Sequence, residues 1–390
     1  MPPQSLNFAL LLFAYYAHAG TFSTYASLFF AERGMTVGQI GVLMSLVQVM
    51  RIVGPNLWGW VADHTGARVM VLRLTALAAL LSFSGIAAGH SFPAFVAAMA
   101  LLNLFTSAQG PMCDALMVAE MRGDLTYYGR LRLWGSVGFI VAVTAAGYAM
   151  QWFGIVALPW IAGALLVCVL LASLRLREVT LPARHADTPS LASLMRKPEV
   201  LAFFGASALM VAAHAALYVF YSLYLATNGY SKSVIGLMWS LGVVAEVAVF
   251  YCQAPLFQRW GARRILYLSF ALALLRFAMI GAGAHLLAVL VAAQLLHGAT
   301  FAAHHSASVS TMQRWFAGPL QSRGQALYIS IAYGLGGSLG GLFLAKCWER
   351  FGPGSVYWVA CALAACALLA MRLSFRYQDR QPAVIASRPS

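Results

Sequence analysis

Six ionisable residues stand inside long apolar runs, where charge is costly: Arg51, Asp114, Arg132, Glu246, Arg276 and His297. Their types suggest two kinds of chemistry. Arginine presents a planar fork of donors suited to a carboxylate or another oxyanion. A buried acid beside a histidine or an arginine can take up and release a proton. Asp114 and Arg132 form one candidate pair, and Arg51 and Glu246, which lie 195 residues apart in a chain of 390, form another. No nucleophile–base spacing recurs in a loop or span end, so covalent catalysis is not expected. His297 and His304 share a helix face and His305 adjoins them, but no carboxylate or cysteine accompanies them at ligand spacing, so no metal is expected.

These residues need elements to hold them. Apolar residues make up 61% of the chain and charged residues only 9%, against roughly 25% charged in a soluble domain. Most of the chain must therefore be solvated by lipid. A spanning helix needs about 20 mostly apolar residues, and apolar runs between Gly, Pro and charge breaks predict twelve crossings: 7–30, 38–61, 69–88, 93–117, 132–152, 155–174, 200–226, 233–257, 265–283, 286–310, 325–345 and 354–372. At 1.5 Å per residue, Arg51, Glu246, Arg276 and His297 fall ~17–20 Å into their spans, near the bilayer midplane. Ionisable groups at that depth point to function; mutual neutralisation of buried charge is the structural alternative.

Orientation follows from counting cations. With the N-terminus inside, 19 Lys/Arg fall on the cytoplasmic side and 4 outside, with Arg51 and Arg276 within spans. Both termini are expected in the cytoplasm of a bacterial inner membrane. The net charge of +14 is explained by this bias, so no nucleic-acid partner is expected. The small-residue stretch Ala17-His18-Ala19 resembles a cleavage site, but no basic residue precedes it, and retention of the segment is expected. The six cysteines stand singly in apolar segments as packing residues. The polar stretch 175–199 reads as a cytoplasmic linker between six-helix bundles at 1–174 and 200–373, with a cytoplasmic tail at 374–390. Gly334 to Gly341 is glycine-rich but lies inside the eleventh span with no preceding strand, so it reads as helix packing, and no cofactor is expected.

Shifting the sequence by 195 aligns Gly66-Ala67-Arg68 with Gly261-Ala262-Arg263, and matches Ser27/Ser222, Gly34/Gly229, Gly41/Gly236 and Ser45/Ser240 among 12 identities in 42 positions. Chance would give three to four at about one in twelve for this composition. Two parallel six-helix halves with a binding site near the midplane are the major facilitator architecture. Gly59-Trp60-Val61-Ala62-Asp63-His64-Thr65-Gly66-Ala67-Arg68 resembles that superfamily's loop between the second and third spans, with His64 and Ala67 departing from it. The resemblance implies an all-α polytopic membrane protein with two pseudo-twofold six-helix bundles. It implies conformational gating for Asp63 and Arg68, and for Arg263 in the second copy.

A narrower resemblance rests on Pro111-Met112-Cys113-Asp114 and on Tyr128-Gly129-Arg130-Leu131-Arg132-Leu133-Trp134-Gly135, which are similar to the lactose permease group and more so to the phenylpropionate permease group. In the lactose permease group, an acid and an arginine at this spacing recognise substrate, and a stacking aromatic falls on Phe139. Arg276 and His297 match that group's ninth-span arginine and tenth-span histidine. Its following acid is replaced by Thr300, so Glu246, in a span resembling the phenylpropionate group, is nominated as proton carrier. Arg51 also resembles the phenylpropionate group and suits a carboxylate substrate. Arg51, Asp114, Arg132, Phe139 and His297 are thus expected to bind substrate, and Glu246, Arg276 and His297 to couple protons. Tyr15, Tyr16, Phe22, Tyr25, Tyr218 and Tyr221 are candidates for an aryl-stacking wall; His18 and His214 are weaker cavity candidates. The expected function is proton-coupled import of an aromatic carboxylate by a monomer in the lipid bilayer. A sugar or nucleoside symporter and a drug/proton antiporter are the alternatives.

Overall fold

Turn chemistry sets the helix ends in matching places of the repeat. Gly34 and Gly229 take φ of 77° and 83°, and Gly66 and Gly261 take 63° and 70°, a left-handed region that glycine enters without steric penalty. Two residues after Gly34 and Gly229 stand the caps Thr36 and Ser231. Thr36 Oγ1 accepts from Gln39 N at 3.2 Å, while Gln39 Oε1 accepts from Thr36 N at 2.9 Å, closing a capping box. Ser231 Oγ accepts from Val234 N at 3.3 Å.

The computed structural model describes residues 4–121, 125–179, 192–316 and 320–380. Residues 180–191 of the expected linker and 381–390 of the expected tail lie outside the described residues. The helices are α1 (Ser5–Glu32), α2 (Val37–Thr65), α3 (Arg68–Ala88), α4 (Phe92–Thr106), α5 (Gln109–Glu120), α6 (Leu125–Phe153), α7 (Leu158–Leu174), the short α8 (Ala192–Met195), α9 (Pro198–Tyr218), α10 (Tyr221–Thr227), α11 (Lys232–Gly283), α12 (Leu287–Leu295), α13 (His304–Trp315), α14 (Gln321–Tyr328), α15 (Gly337–Phe351) and α16 (Ser355–Asp379). Two π-helical segments, Gly298–Ala303 and Ile329–Gly336, join α12 to α13 and α14 to α15.

Among the described residues, 10 helical segments are long and apolar enough to cross a membrane. Helix α1 is long enough too, at 28 residues, but Tyr15, Tyr16, His18, Thr21, Ser23 and Thr24 dilute its apolar character. The 52 residues of α11 are two crossings joined at Gly261, whose φ of 70° and ψ of 159° break the helix. With α1 and the second arm of α11, the count is the expected twelve, and the fold is all-α.

Turns interrupt the fourth and the seventh spans. In the fourth, the chain turns between Thr106 and Gln109, four residues before Pro111, where the proline ring meets the carbonyl of residue i−4. The seventh is broken between Tyr218 and Tyr221. In α2, by contrast, Pro55 stays inside a continuous helix, and Asn56 Nδ2 donates to Ile52 O at 2.6 Å.

Helices α1–α7 pack on one another, as do α9–α16, and the two groups meet chiefly where α6 contacts α11 and where α2 contacts α15. The repeat identities sit at these crossings. A Cβ at Gly41 would come within 2.6 Å of Ala345 Cβ, and one at Gly236 would collide with the Tyr25 hydroxyl and come within 2.9 Å of Val143 O. One turn further, Ser45 Oγ donates to Ser338 O at 3.3 Å, and Ser240 Oγ lies 2.9 Å from Thr144 Oγ1 and 3.4 Å from Ile140 O. Tyr25 Oη bridges Val143 O at 3.0 Å and Lys232 O at 3.2 Å, and Gly38 N donates to Glu349 Oε1 at 2.7 Å. All these links lie on one side of the midplane. Toward the other side, the basic face that carries Arg68 and Arg263, Arg51, Leu57, Trp60, Phe250 and Tyr251 are exposed.

The seal yields a direct prediction. In a variant lacking the native cysteines, Ser45→Cys with Ser338→Cys will cross-link on mild oxidation, stop transport, and regain it on reduction. Full transport by the cross-linked protein would show that this side need not open.

Candidate functional site

The acid and the histidine nominated for proton coupling meet. His297 Nε2 lies 2.7 Å from Glu246 Oε1, with side chains only 6% and 19% exposed. Glycines allow the approach. A Cβ at Gly298 would run into Ala245 O, and one at Gly242 would come within 3.2 Å of the His297 ring. The π-helical segment begins directly after His297, a local widening common at functional positions. Phe301 stacks on the His297 ring, with centroids 5.4 Å apart and planes at 8°.

Arg276 sits beside this pair but is held by neutral acceptors. It is 0% exposed and donates to Ala293 O at 3.0 Å, Gln294 Oε1 at 2.7 Å and Thr300 Oγ1 at 3.3 Å. Thr300, standing where the resembled group has an acid, is therefore a ligand of Arg276. A buried guanidinium without a carboxylate needs such a set of acceptors.

Asp114 and Arg132 are also brought together, 3.3 Å apart and about one-third exposed. Arg132 Nη1 donates to Tyr16 Oη at 2.8 Å and its guanidinium lies 5.3 Å from the Tyr16 ring centroid, while the Tyr128 hydroxyl is a neighbour of the Asp114 carboxyl. Tyr16 thus serves as a polar partner of the pair as well as an aromatic face. Arg51 is exposed, and its charge reaches Tyr15 and Tyr16 from one group of helices and Tyr218 and Tyr333 from the other. Among the described residues no carboxylate pairs with it. Arg51 and Glu246, related by the repeat, are not an ion pair.

Other aromatic candidates go elsewhere. Phe139 packs into the notch left by Gly20, between α1 and α6. Phe22 stacks on His18 and meets Phe83 edge to face inside its bundle, and Tyr25 belongs to the seal. Tyr218 and Tyr221 both lie against Trp239, whose Nε1 donates to Ser222 Oγ at 2.9 Å. His18 and His214 bond the backbone carbonyls of Ala162 and Met210.

The gating candidates lie on the basic face, each tied within its own group of helices. Asp63 forms an ion pair with Arg68. Glu178, beyond the end of α7, accepts from Arg68 N at 3.0 Å and Val69 N at 2.9 Å, capping α3 where the helix dipole favours an anion. Arg263 takes both oxygens of Asp379 at 2.8 Å. Those hydrogen bonds hold the Asp379 carboxyl below the ordinary carboxylate range and the Arg263 guanidinium above its own. With a depressed carboxyl, the pair stays formed at neutral pH and is lost only as pH falls through that lowered value. In both groups, the end of the last helix thus closes back on the start of the third.

The sequence reading missed Gln294, Tyr128, Glu178 and Asp379 as partners of these residues. Only Gln294, three residues before His297 on the same helix face, carried a local signal.

Comparison with known proteins identifies the family. A family model described as the MFS_1 like family matches residues 5–359. The chain is 31% identical over 362 residues to the "Probable 3-phenylpropionic acid transporter" of Escherichia coli (strain K12), covering 91% of this chain and 94% of that protein. It is 26% identical over 354 residues to the maltose permease of Geobacillus stearothermophilus, covering 90% and 89%. The crystal structure of the nucleoside transporter NupG superposes with a TM-score of 0.83 at 17% identity, covering 96% and 100% of the two chains. These relatives are transporters, not enzymes. The chain belongs to the MFS_1 like family and is an integral membrane transporter of the major facilitator type.

Proposed function

We propose that this transporter imports a small aromatic carboxylate of the phenylpropionate kind together with a proton, across a bacterial inner membrane and as a monomer. The observation that carries the reading is Arg51, an exposed cation without a carboxylate partner among the described residues. A carboxylate there would form a charge-assisted, bidentate bond. Tyr15, Tyr16, Tyr218 and Tyr333, all within reach of its charge, offer aromatic faces to an aryl ring. The Escherichia coli relative bears a name of that substrate class.

In this reading the basic face is cytoplasmic and both termini lie inside. Bundles 1–174 and 200–373 rock about the midplane, with 175–199 as linker and 374–390 as tail. The Glu246–His297 pair shares one transferable proton, Arg276 sets the local positive field, and Asp114–Arg132 orients the substrate. Asp63, Arg68 and Arg263 gate the cytoplasmic side. A monoanion entering with one proton moves no net charge. Accumulation then follows the pH gradient, about tenfold per pH unit, and is indifferent to the membrane potential.

A sugar symporter is the second reading, favoured by the maltose permease relative and by the polar Asp114–Arg132–Tyr16 cluster. Uptake of labelled phenylpropionate, maltose and a nucleoside into vesicles under an imposed pH gradient separates the readings. Aryl carboxylate uptake alone is expected; concentration of maltose and not of the acid would replace the first reading by the second.

Two variants test the roles. Arg51→Gln should raise KM for the acid about ten- to a hundredfold, the cost of losing a charged hydrogen-bond partner, and an unchanged KM would remove Arg51 from the binding site. Glu246→Gln should keep substrate counterflow while losing uphill uptake. Retained pH-driven accumulation in that variant would show that the proton travels elsewhere.

A further inference from the structure

The pair Glu246–His297 is shielded on its tenth-span side by the Phe301 ring, yet the proton it holds must reach water on the basic face. His18, His214, His297 and His304 are buried; His305 alone among the span histidines is only partly buried. It stacks on the other side of Phe301, centroids 6.5 Å apart and planes at 17°, so a column His297–Phe301–His305 runs down one face of the tenth span. Its Nδ1 lies 3.1 Å from the Tyr333 hydroxyl.

That partner is what distinguishes it. A hydroxyl donates or accepts, so Tyr333 can bond neutral His305 by donating to Nδ1 and protonated His305 by accepting from it. Buried His214 and His304 lack this latitude. His214 Nδ1 faces the Met210 carbonyl, and its Nε2 has no partner; His304 Nε2 has none either. Charging either ring would leave a buried N–H⁺ unsatisfied.

Polar contacts also continue past the midplane pair. Ser306 Oγ donates to Gln253 Oε1 at 3.0 Å, seven residues beyond Glu246, or ~10 Å further along the eighth span toward the basic face. The titratable or charged groups facing His305 are Glu246 from α11, His304 beside it on α13, and Tyr328 and Tyr333 from the eleventh span. Arg51 of α2 acts on Tyr333.

We propose that His305, positioned by Tyr333, is a second proton station, through which the proton held by Glu246–His297 exchanges with the cavity on the basic face. The inference rests on the proton-coupled reading above. In the step, the proton leaves the pair and binds an imidazole nitrogen of His305, which then yields it to cavity water; no bond other than N–H and O–H changes.

The test measures substrate-driven proton uptake with a pH-sensitive dye in vesicles, alongside counterflow of labelled substrate. The proteins compared are wild type, Glu246→Gln, His305→Gln, Tyr333→Phe and, as control, His304→Gln. His305→Gln is expected to preserve counterflow while slowing proton-coupled uptake about tenfold or more. Tyr333→Phe should shift the pH dependence of uptake, and His304→Gln should leave it unmoved. Counterflow certifies that each variant is folded; where His305→Gln lacks it, His305→Asn and Tyr333→Phe carry the test. Wild-type transport with no proton movement would overturn the coupled reading and the station with it. Coupled wild type with unaltered coupling and pH profile in the folded His305 variant and Tyr333→Phe would overturn the station alone.

Discussion

Helix backbones pressed directly against one another are the contact on which this structure depends. Lipid offers no hydrophobic incentive for helices to associate, so close packing and interhelical hydrogen bonds must do it. At Gly298 the tenth span lies on the backbone of Ala245, and in the seal Gly236 lies on the Tyr25 hydroxyl and the Val143 carbonyl and Gly41 on the Ala345 methyl. Each such contact places a polar pair alongside: Glu246 with His297, Ser45 with Ser338, Ser240 with Thr144. A larger residue at the glycine would separate the pair as well as the helices, so the packing and the polar chemistry of this protein share their determinants.

Charge at the midplane is distributed by the same logic. Arg276 is fully buried and satisfied by neutral oxygens, Arg132 is offset by Asp114, and Glu246 is bound to a histidine. Arg51 differs in being exposed. The first three can stay in place through a conformational change because their partners move with them. In the proposed reading, Arg51 lines the opening cleft and takes water or a visiting anion as its partner.

The sequence was legible where a local rule governs. The twelve crossings followed from apolar length, and Gly34, Gly66, Gly229 and Gly261 marked turns because only glycine enters their backbone region cheaply. The repeat identities Gly41/Gly236 and Ser45/Ser240 proved to be the seal, a role that alignment alone could suggest only as duplication. Pairings between distant segments were less accessible. Asp114 with Arg132 was a candidate pair from two opposite charges in neighbouring spans, strengthened by a resemblance, and Glu246 with His297 emerged only as two candidates at one depth. Glu178 on α3 and Asp379 on Arg263 gave no signal, since nothing near either acid in sequence points across more than a hundred residues. The π-helical segments were invisible too, because a single added residue barely disturbs apolar periodicity.

Those segments have a consequence for how the site is wound. A π-helical turn accommodates one residue more than an α-helical turn, and each α-helical residue turns the chain by about 100°. Everything after Ala303 is therefore rotated relative to a helix propagated without interruption from α12. Without that added residue, His305 would swing away from Tyr333 and Ser306 from Gln253, while His297, upstream, would stay on Glu246. The eleventh span carries its own π-helical segment around Tyr333, so two independent rotations converge on one hydrogen bond. The widened turns act as phase adjusters, setting the angular register of the lower site apart from that of the upper.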